Sequence, residues 1–309
     1  MVGTALLAGV GLLGTRGFGG LPPALGHLVN LVPEQALSFW NPESTGFNTN
    51  LTGGILAVFT PVTVAYALSA SWPLRLSNAR RAVVLWLLTA GESLVLVLTR
   101  SRGAILGFVA GLAVLAISRN RRWAWMLPVG GLAVALTLVL WGVQPTVNLV
   151  LGGTADSAIA SVEARGELVS RGLYMLQDFP LTGVGLGTFS RVLPILYPRF
   201  LDGPDSEVAH VHNIYLQAGI DHGLPGLIAF VAMLFLLVAM GSQAVRLSRR
   251  QPWEPLAIGL LAGLAAYSVH GFIDVVASSP RVHILIWAHW GLVAGVWCWA
   301  RAHQAATGE

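Results

Sequence analysis

The chain has 309 residues, of which 55% are hydrophobic and only 10% charged, with a mean hydropathy of +0.69. A soluble domain carries about 25% charged residues, so this chain lacks the polar surface to cover a water-soluble globule and reads as membrane-immersed. All 18 basic residues are Arg, and they lie in separate clusters. A nucleic-acid partner needs a continuous basic face, so these clusters argue against one. The lone Cys298 excludes an intrachain disulfide and a multi-thiolate metal cluster.

Eight apolar runs follow in chain order: Val2–Gly14, Leu51–Trp72, Ala82–Leu98, Gly103–Ile117, Trp123–Trp141, Leu224–Met240, Leu256–Val276 and Ile284–Ala300. A helix needs roughly 17–25 residues to cross a bilayer. Six runs meet that length, and the first and fourth meet it by borrowing flanking residues. The first run lacks the positive start of a signal peptide. It reads as a short, Gly-rich span or the remnant of a longer N-terminal region. The expected fold is therefore all-α, a single polytopic transmembrane helix bundle over residues 1–309 with about eight spans.

Arginine placement sets the expected orientation. Arg75, Arg80 and Arg81, then Arg119, Arg121 and Arg122, then Arg246, Arg249 and Arg250 occupy three short segments between runs. They alternate correctly if all three face the cytoplasm, with both termini inside. The segment 142–223 then becomes one large extracytoplasmic loop. Within it, Ala158–Gln177 reads as a helix ended by Asp178-Phe179-Pro180. Leu181–Phe189 is Gly-rich and reads as a loop, and so does Leu196–Asp205.

Polar residues in so apolar a chain are the places to look for chemistry. His212 follows His210 by two residues and precedes Asn213. Histidine alone takes and gives a proton near neutrality, so His212 is the candidate base, beside the simpler reading of a polar helix start. The His210–His212 spacing suggests a metal pair, but no compact motif completes it, and the expectation is no metal. Arg102, Arg165, Arg171, Arg191 and Arg199 fall on the expected outer side, where orientation does not explain them. A guanidinium fork suits phosphate, and several together can offset a departing pyrophosphate. The plainer readings are headgroup anchoring for Arg102, a solvated helix face for Arg165, a pair with Glu167 for Arg171, and solvated loops for Arg191 and Arg199. Asn48 and Asn50 either bind sugar hydroxyls or cap a span. Glu92 and Asp274 sit at or within apolar runs, where an Arg partner is physically reasonable for either. The glycines at 183, 185 and 187 lack the strand and helix of a dinucleotide site and read as a flexible turn.

These residues together resemble the O-antigen ligase and polymerase superfamily. His212-Asn213, nine residues, Gly223, two residues and Gly226 is similar to the family's signature at the end of its large outer loop. Asp178–Gly187 resembles the segment that precedes that signature, Ser101-Arg102-Gly103 its Ser-Arg-Gly element, and Phe47–Asn50 its Asn-bearing segment. The resemblance covers about positions 45–240. Val169 stands where an aromatic is common. The resemblance implies a donor glycan on polyprenyl pyrophosphate and transfer without metal or cofactor at the outer face of the cytoplasmic membrane. The acceptor would be lipid A-core, another glycan or a protein. It implies His212 as the catalytic group and Arg102 and Arg165 as pyrophosphate ligands. Arg171, Arg191, Asn48, Asn213 and His210 complete the expected substrate-binding set. Ligase activity is preferred. The alternatives are a repeat-unit polymerase, a protein O-oligosaccharyltransferase and a solute transporter. The last is disfavoured by the missing internal repeat.

Overall fold

The structure is a computed structural model that describes residues 49–69, 78–99, 101–125, 155–201, 208–276 and 280–307. The apolar runs become helices because a backbone in lipid must satisfy its own hydrogen bonds. They are α1 (Thr49–Ala67), α2 (Asn78–Leu98), α3 (Arg102–Arg119), α4 (Ala155–Asp178), α5 (Phe189–Leu196), α6 (Ile214–Leu247), α7 (Glu254–His270) and α8 (Pro280–Thr307). Five of these, α1, α2, α3, α6 and α8, are long and apolar enough to cross a membrane. With 17 residues, α7 stands at the lower bound for a span. Among the described residues there is no strand. Six of the eight apolar runs are therefore helices here. Run Val2–Gly14 and nearly all of Trp123–Trp141 lie outside the described residues; Trp123 and Trp125 close a 3-10 turn, Arg121–Trp125.

The chain divides into two units. The first takes residues 1–120, 236–270 and 279–309, and the second takes 121–235 and 271–278. In the first unit α7 packs along α1 and α3, and α1 along α2. The approach is close because small residues line the contacts, as lipid-embedded helices require. A Cβ added at Gly263 would fall 2.2 Å from the Val58 carbonyl oxygen, and one at Gly259 would fall 2.5 Å from Val62 Cα. On α3, Gly107 and Gly111 meet the carbonyls of Ala266 and Ala262 in the same way, at 2.6 and 2.8 Å. Around them lies a core of Val64, Ala65, Leu115, Ala244, Val245, Ile258 and Leu261. His270 and His289 are fully buried in this unit.

Arginines gather at one end of this helix set. Arg81 donates to the Ser69 carbonyl at 3.2 Å, Arg119 to that of Leu68 and Arg249 to that of Ser118. Trp253 stacks near Trp299 and His303, at 4.0 and 5.0 Å between ring centroids, so the last turns of α8 share that end.

The second unit is built on α4. Leu168 and Met175 pack with Phe189 and Leu193 of α5 and with Val211 and Ile220. The bare Gly172 lets Ile220, Val211 and Leu216 approach α4 closely. The expected helix Ala158–Gln177 runs from Ala155 to Asp178. One expectation needs correction. The stretch after the Gly-rich turn holds a helix, α5, which puts Arg191 on a helix rather than in a loop. The segment before the expected run Leu224–Met240 is also helical, from Ile214. Gly223, at φ 72°, breaks α6 before Pro225, at the point where the expected run Leu224–Met240 begins.

Candidate active site

The Gly-rich turn after α4 is not a loose connection. Val184 N–H donates to the Ile220 carbonyl at 2.7 Å, and Leu224 N–H donates to that of Pro180 at 2.6 Å. These bonds clamp the turn onto the break in α6. Gly183, at φ 65°, lies so close to the 220–222 backbone that an added Cβ would fall 2.4 Å from the Ile220 oxygen. The Gly223 position reciprocates against Leu181 and Pro180. The paired Gly motifs thus fix the break in α6, and the segment before the start of that helix carries the histidines.

That start is pinned by side chains. Asn213 accepts hydrogen bonds from the backbone N–H of Tyr215 at 3.0 Å and of Leu216 at 2.9 Å, which makes it the N-cap of α6. Its amide nitrogen donates to the Phe272 carbonyl at 3.2 Å. Ile214 N–H donates to the Gly271 carbonyl at 2.8 Å. Asn213 and Ile214 therefore tie the 271–276 turn to the helix start. Gln217 accepts from Val211 N–H at 3.0 Å and donates to Asp221 at 2.9 Å, bracing the histidine segment from the first turn of α6. Tyr215 lies against Phe272 with ring centroids 4.5 Å apart.

These ties deliver Asp274 to both histidines. Asp274 Oδ1 lies 2.9 Å from His212 Nδ1 and 3.2 Å from His210 Nε2, and it also accepts from Val275 N–H at 2.8 Å. Asp274 is only 5% exposed. Burial by itself would raise its pKa. The hydrogen bonds from His210 and His212, and the attraction of both rings, hold it well below the usual carboxylate range. An ionised carboxylate only accepts, so the hydrogen of the neutral His212 ring sits on Nδ1. Its Nε2 then carries the lone pair. His212 itself stands at φ 55°, a left-handed conformation uncommon outside glycine, which turns the ring toward Asp274 rather than along the chain.

The sequence offered Asp274 an Arg partner; the structure gives it two imidazoles instead. It also supplies the third donor that no local motif provides, from a segment more than sixty residues away. An ionisable residue at the end of an apolar run was the signal for Asp274. Gln217 had only the weaker one of a polar side chain in an otherwise apolar helix start.

The arginines fall into different settings. Arg171 pairs with Glu167 at 3.4 Å, the pairing expected from their spacing, and its guanidinium lies 5.1 Å from the Phe200 ring centre. Glu167 in turn accepts from the backbone N–H of Phe200 at 2.7 Å and of Leu201 at 3.2 Å. Burial opposes its ionisation, but these bonds and Arg171 win and lower its pKa. Arg165 stands half-buried on α4, and Arg191 is exposed on α5. Arg199 is buried rather than solvated, next to the residues whose backbone Glu167 holds. Tyr197 donates to Asp178 at 2.5 Å, and partial burial together with that carboxylate pushes its pKa up to about 12. Arg102 is the first residue of α3, in the other unit. Asn48 lies outside the described residues.

A comparison with known families decides how this geometry is read. Residues 82–231 match the O-antigen ligase family, a segment that holds Arg102, α4, α5 and the His212 motif. Over those residues, just under half of its length, the chain is similar to the O-antigen ligase family. No curated protein matches it. This match, with five helices long and apolar enough to cross a membrane, supports a membrane protein of polysaccharide biosynthesis. It supports glycosyl transfer and enzymatic activity in general, with membrane-embedded glycan-lipid substrates. The family resemblance read from the motifs is therefore met over this segment. The site's particular chemistry rests on its residues.

Proposed function

We propose that the chain transfers a glycan from a polyprenyl-pyrophosphate donor to an acceptor hydroxyl, in the manner of an O-antigen ligase, at the outer face of the cytoplasmic membrane. The observation that carries this reading is the Asp274–His212 hydrogen bond at 2.9 Å, which leaves His212 Nε2 as a proton acceptor. In this reading His212 takes the acceptor hydroxyl's proton as the oxygen attacks the anomeric carbon. Asp274 orients the ring and stabilises the imidazolium that forms. Arg102, Arg165, Arg171 and Arg191 are the proposed ligands of the pyrophosphate, whose charge grows as the bond to carbon breaks. Their role as leaving-group stabilisers makes a metal unnecessary for the transfer.

The remaining expected residues take supporting parts. His210 shares Asp274 and borders the acceptor side. Asn213 holds the helix start, and Asn48 is kept as a sugar ligand from the resemblance. The arginine-rich end of the first unit is assigned to the cytoplasm by the positive-inside rule, which places both termini there. The 142–223 segment, with its helices α4 and α5, is then extracytoplasmic.

The test uses the purified chain, a defined lipid-pyrophosphate glycan and a panel of lipid A-core, glycan and peptide acceptors. A single displacement inverts the anomeric centre, which NMR of the product linkage reads. His212→Ala is expected to lower transfer by about 10²–10⁴-fold while the protein still inserts. Retained configuration, or undiminished turnover by His212→Ala, overturns the mechanism.

A further inference from the structure

We propose that His210, His212 and Asp274 also form a chelating site for a divalent transition-metal ion such as Zn²⁺, and that filling it stops transfer. The proposal extends the reading of His212 as the base and concerns the regulation of that same site.

The geometry comes first. The three donor atoms lie within 4.8 Å of one another. Two of the separations, 2.9 and 3.2 Å, are already close to the ~3.3 Å edge of a tetrahedron with Zn–N distances of about 2.0–2.1 Å. An ion entering between them replaces two hydrogen bonds with three coordinate bonds and needs little rearrangement. The donors are also pre-organised. Val275 N–H holds the carboxylate, and the left-handed turn at His212 holds its ring 4.5 Å from that of His210. Their side chains are 17% and 28% exposed, so an ion has access. Two imidazoles and one carboxylate select Zn²⁺, Co²⁺, Ni²⁺ or Cu²⁺ over Mg²⁺ and Ca²⁺, which prefer oxygen ligands.

The consequence is a matter of tautomers. Without the ion, His212 carries its hydrogen on Nδ1, toward Asp274, and its lone pair on Nε2. A metal can bind Nδ1 only through a lone pair. The proton on Nδ1 departs and Nε2 takes one up, so the ring remains neutral and the proton count is unchanged. His210 makes the mirror exchange, from Nε2 to Nδ1. His212 Nε2 is then a donor and no longer accepts the proton of an attacking hydroxyl. The ion thus blocks the base without occupying the acceptor's place.

The experiment titrates Co²⁺ into the purified full chain and reads its visible d–d absorption, then displaces it with Zn²⁺. The expected result is one ion per chain. Affinity should fall at least ~10-fold in His210→Ala and in His210→Gln, and stay unchanged in His222→Ala, an exposed histidine outside the cluster. Transfer is expected to fall along the same Zn²⁺ titration, to return on chelation, and to ignore equal Mg²⁺. Absent bands, bands that survive both His210 variants, or transfer that holds or rises as the site fills overturn the proposal. The Co²⁺ signal needs no turnover. A chain that binds Co²⁺ but transfers nothing from the lipid-pyrophosphate donor overturns the proposed transfer, and the inhibition with it, while the chelate itself stands.

Discussion

Glycines serve the two units in different ways. In the first, Gly259, Gly263, Gly107 and Gly111 are ordinary helical residues whose lack of a Cβ lets helices touch backbone to backbone. In the second, Gly183 and Gly223 have φ of 65° and 72° and supply backbone shapes that other residues resist. The polar groups divide similarly. The bundle satisfies its backbone within each helix, as a lipid-embedded segment must. The second unit uses Asn213, Gln217, Glu167 and Asp274 to satisfy turns that have no helical partner. Rigid packing in one unit and side-chain ties in the other suggest where a substitution costs stability and where it costs chemistry.

The largest expected effect lies on the chemical side. Asp274→Asn should lower transfer by ~10²-fold or more, because an amide no longer demands a hydrogen on His212 Nδ1. Helicity and insertion should be unchanged, as circular dichroism and membrane fractionation would read. An inactive variant that also failed to insert would make Asp274 a bundle residue and erase the contrast.

On the packing side, Gly263→Leu should cost about 1–3 kcal/mol or more, since the added carbon meets the Val58 carbonyl. Thermal unfolding in detergent is the measurement. An unchanged Tm would mean that α7 and α1 do not need their close approach.

Gly183→Ala tests the other use of glycine. A left-handed backbone and a close carbonyl together should cost about 1–3 kcal/mol. Hydrogen exchange should show it as faster opening of the 183–184 and 220–224 amides. Protection as in the native chain would show that the turn is not what fixes the break in α6.

The smallest effect concerns acid. Glu167 has a folded pKa below its unfolded value, so its contribution to stability is present above the ordinary carboxylate range. It is lost as pH falls through the folded value. Glu167→Gln should flatten the acid limb of stability and free the amides of Phe200 and Leu201, seen as faster hydrogen exchange. An acid limb as steep as the native one would place the sensitivity elsewhere.

Much of the helical layout was legible because lipid imposes length and hydropathy on each span. Runs such as Ala82–Leu98 needed only a few residues added to become α2. The break at Gly223 was legible from Gly223 and Pro225, but the helical stretch before it, capped by Asn213, was not. Glu167 and Arg171 were readable as a pair because helical spacing brings them together. Asp274 was visible as an oddity, but its partners were not. Pairing it with His210 and His212 requires the 271–276 turn to fold back on α6, and no local spacing encodes that. Arg199 is buried although it follows α5 in irregular chain, and burial of that kind has no local spacing to announce it.

A double-mutant cycle on His212 and Asp274 tests the central claim most directly. Transfer from one defined lipid-pyrophosphate donor would be measured for His212→Ala, Asp274→Asn and the double variant, each confirmed as inserted. If Asp274 acts through His212, the double variant is no slower than His212→Ala alone, because the carboxylate has nothing left to orient. If the two losses multiply, or if His212→Ala turns over like the native chain, the account of the pair as an oriented base is wrong.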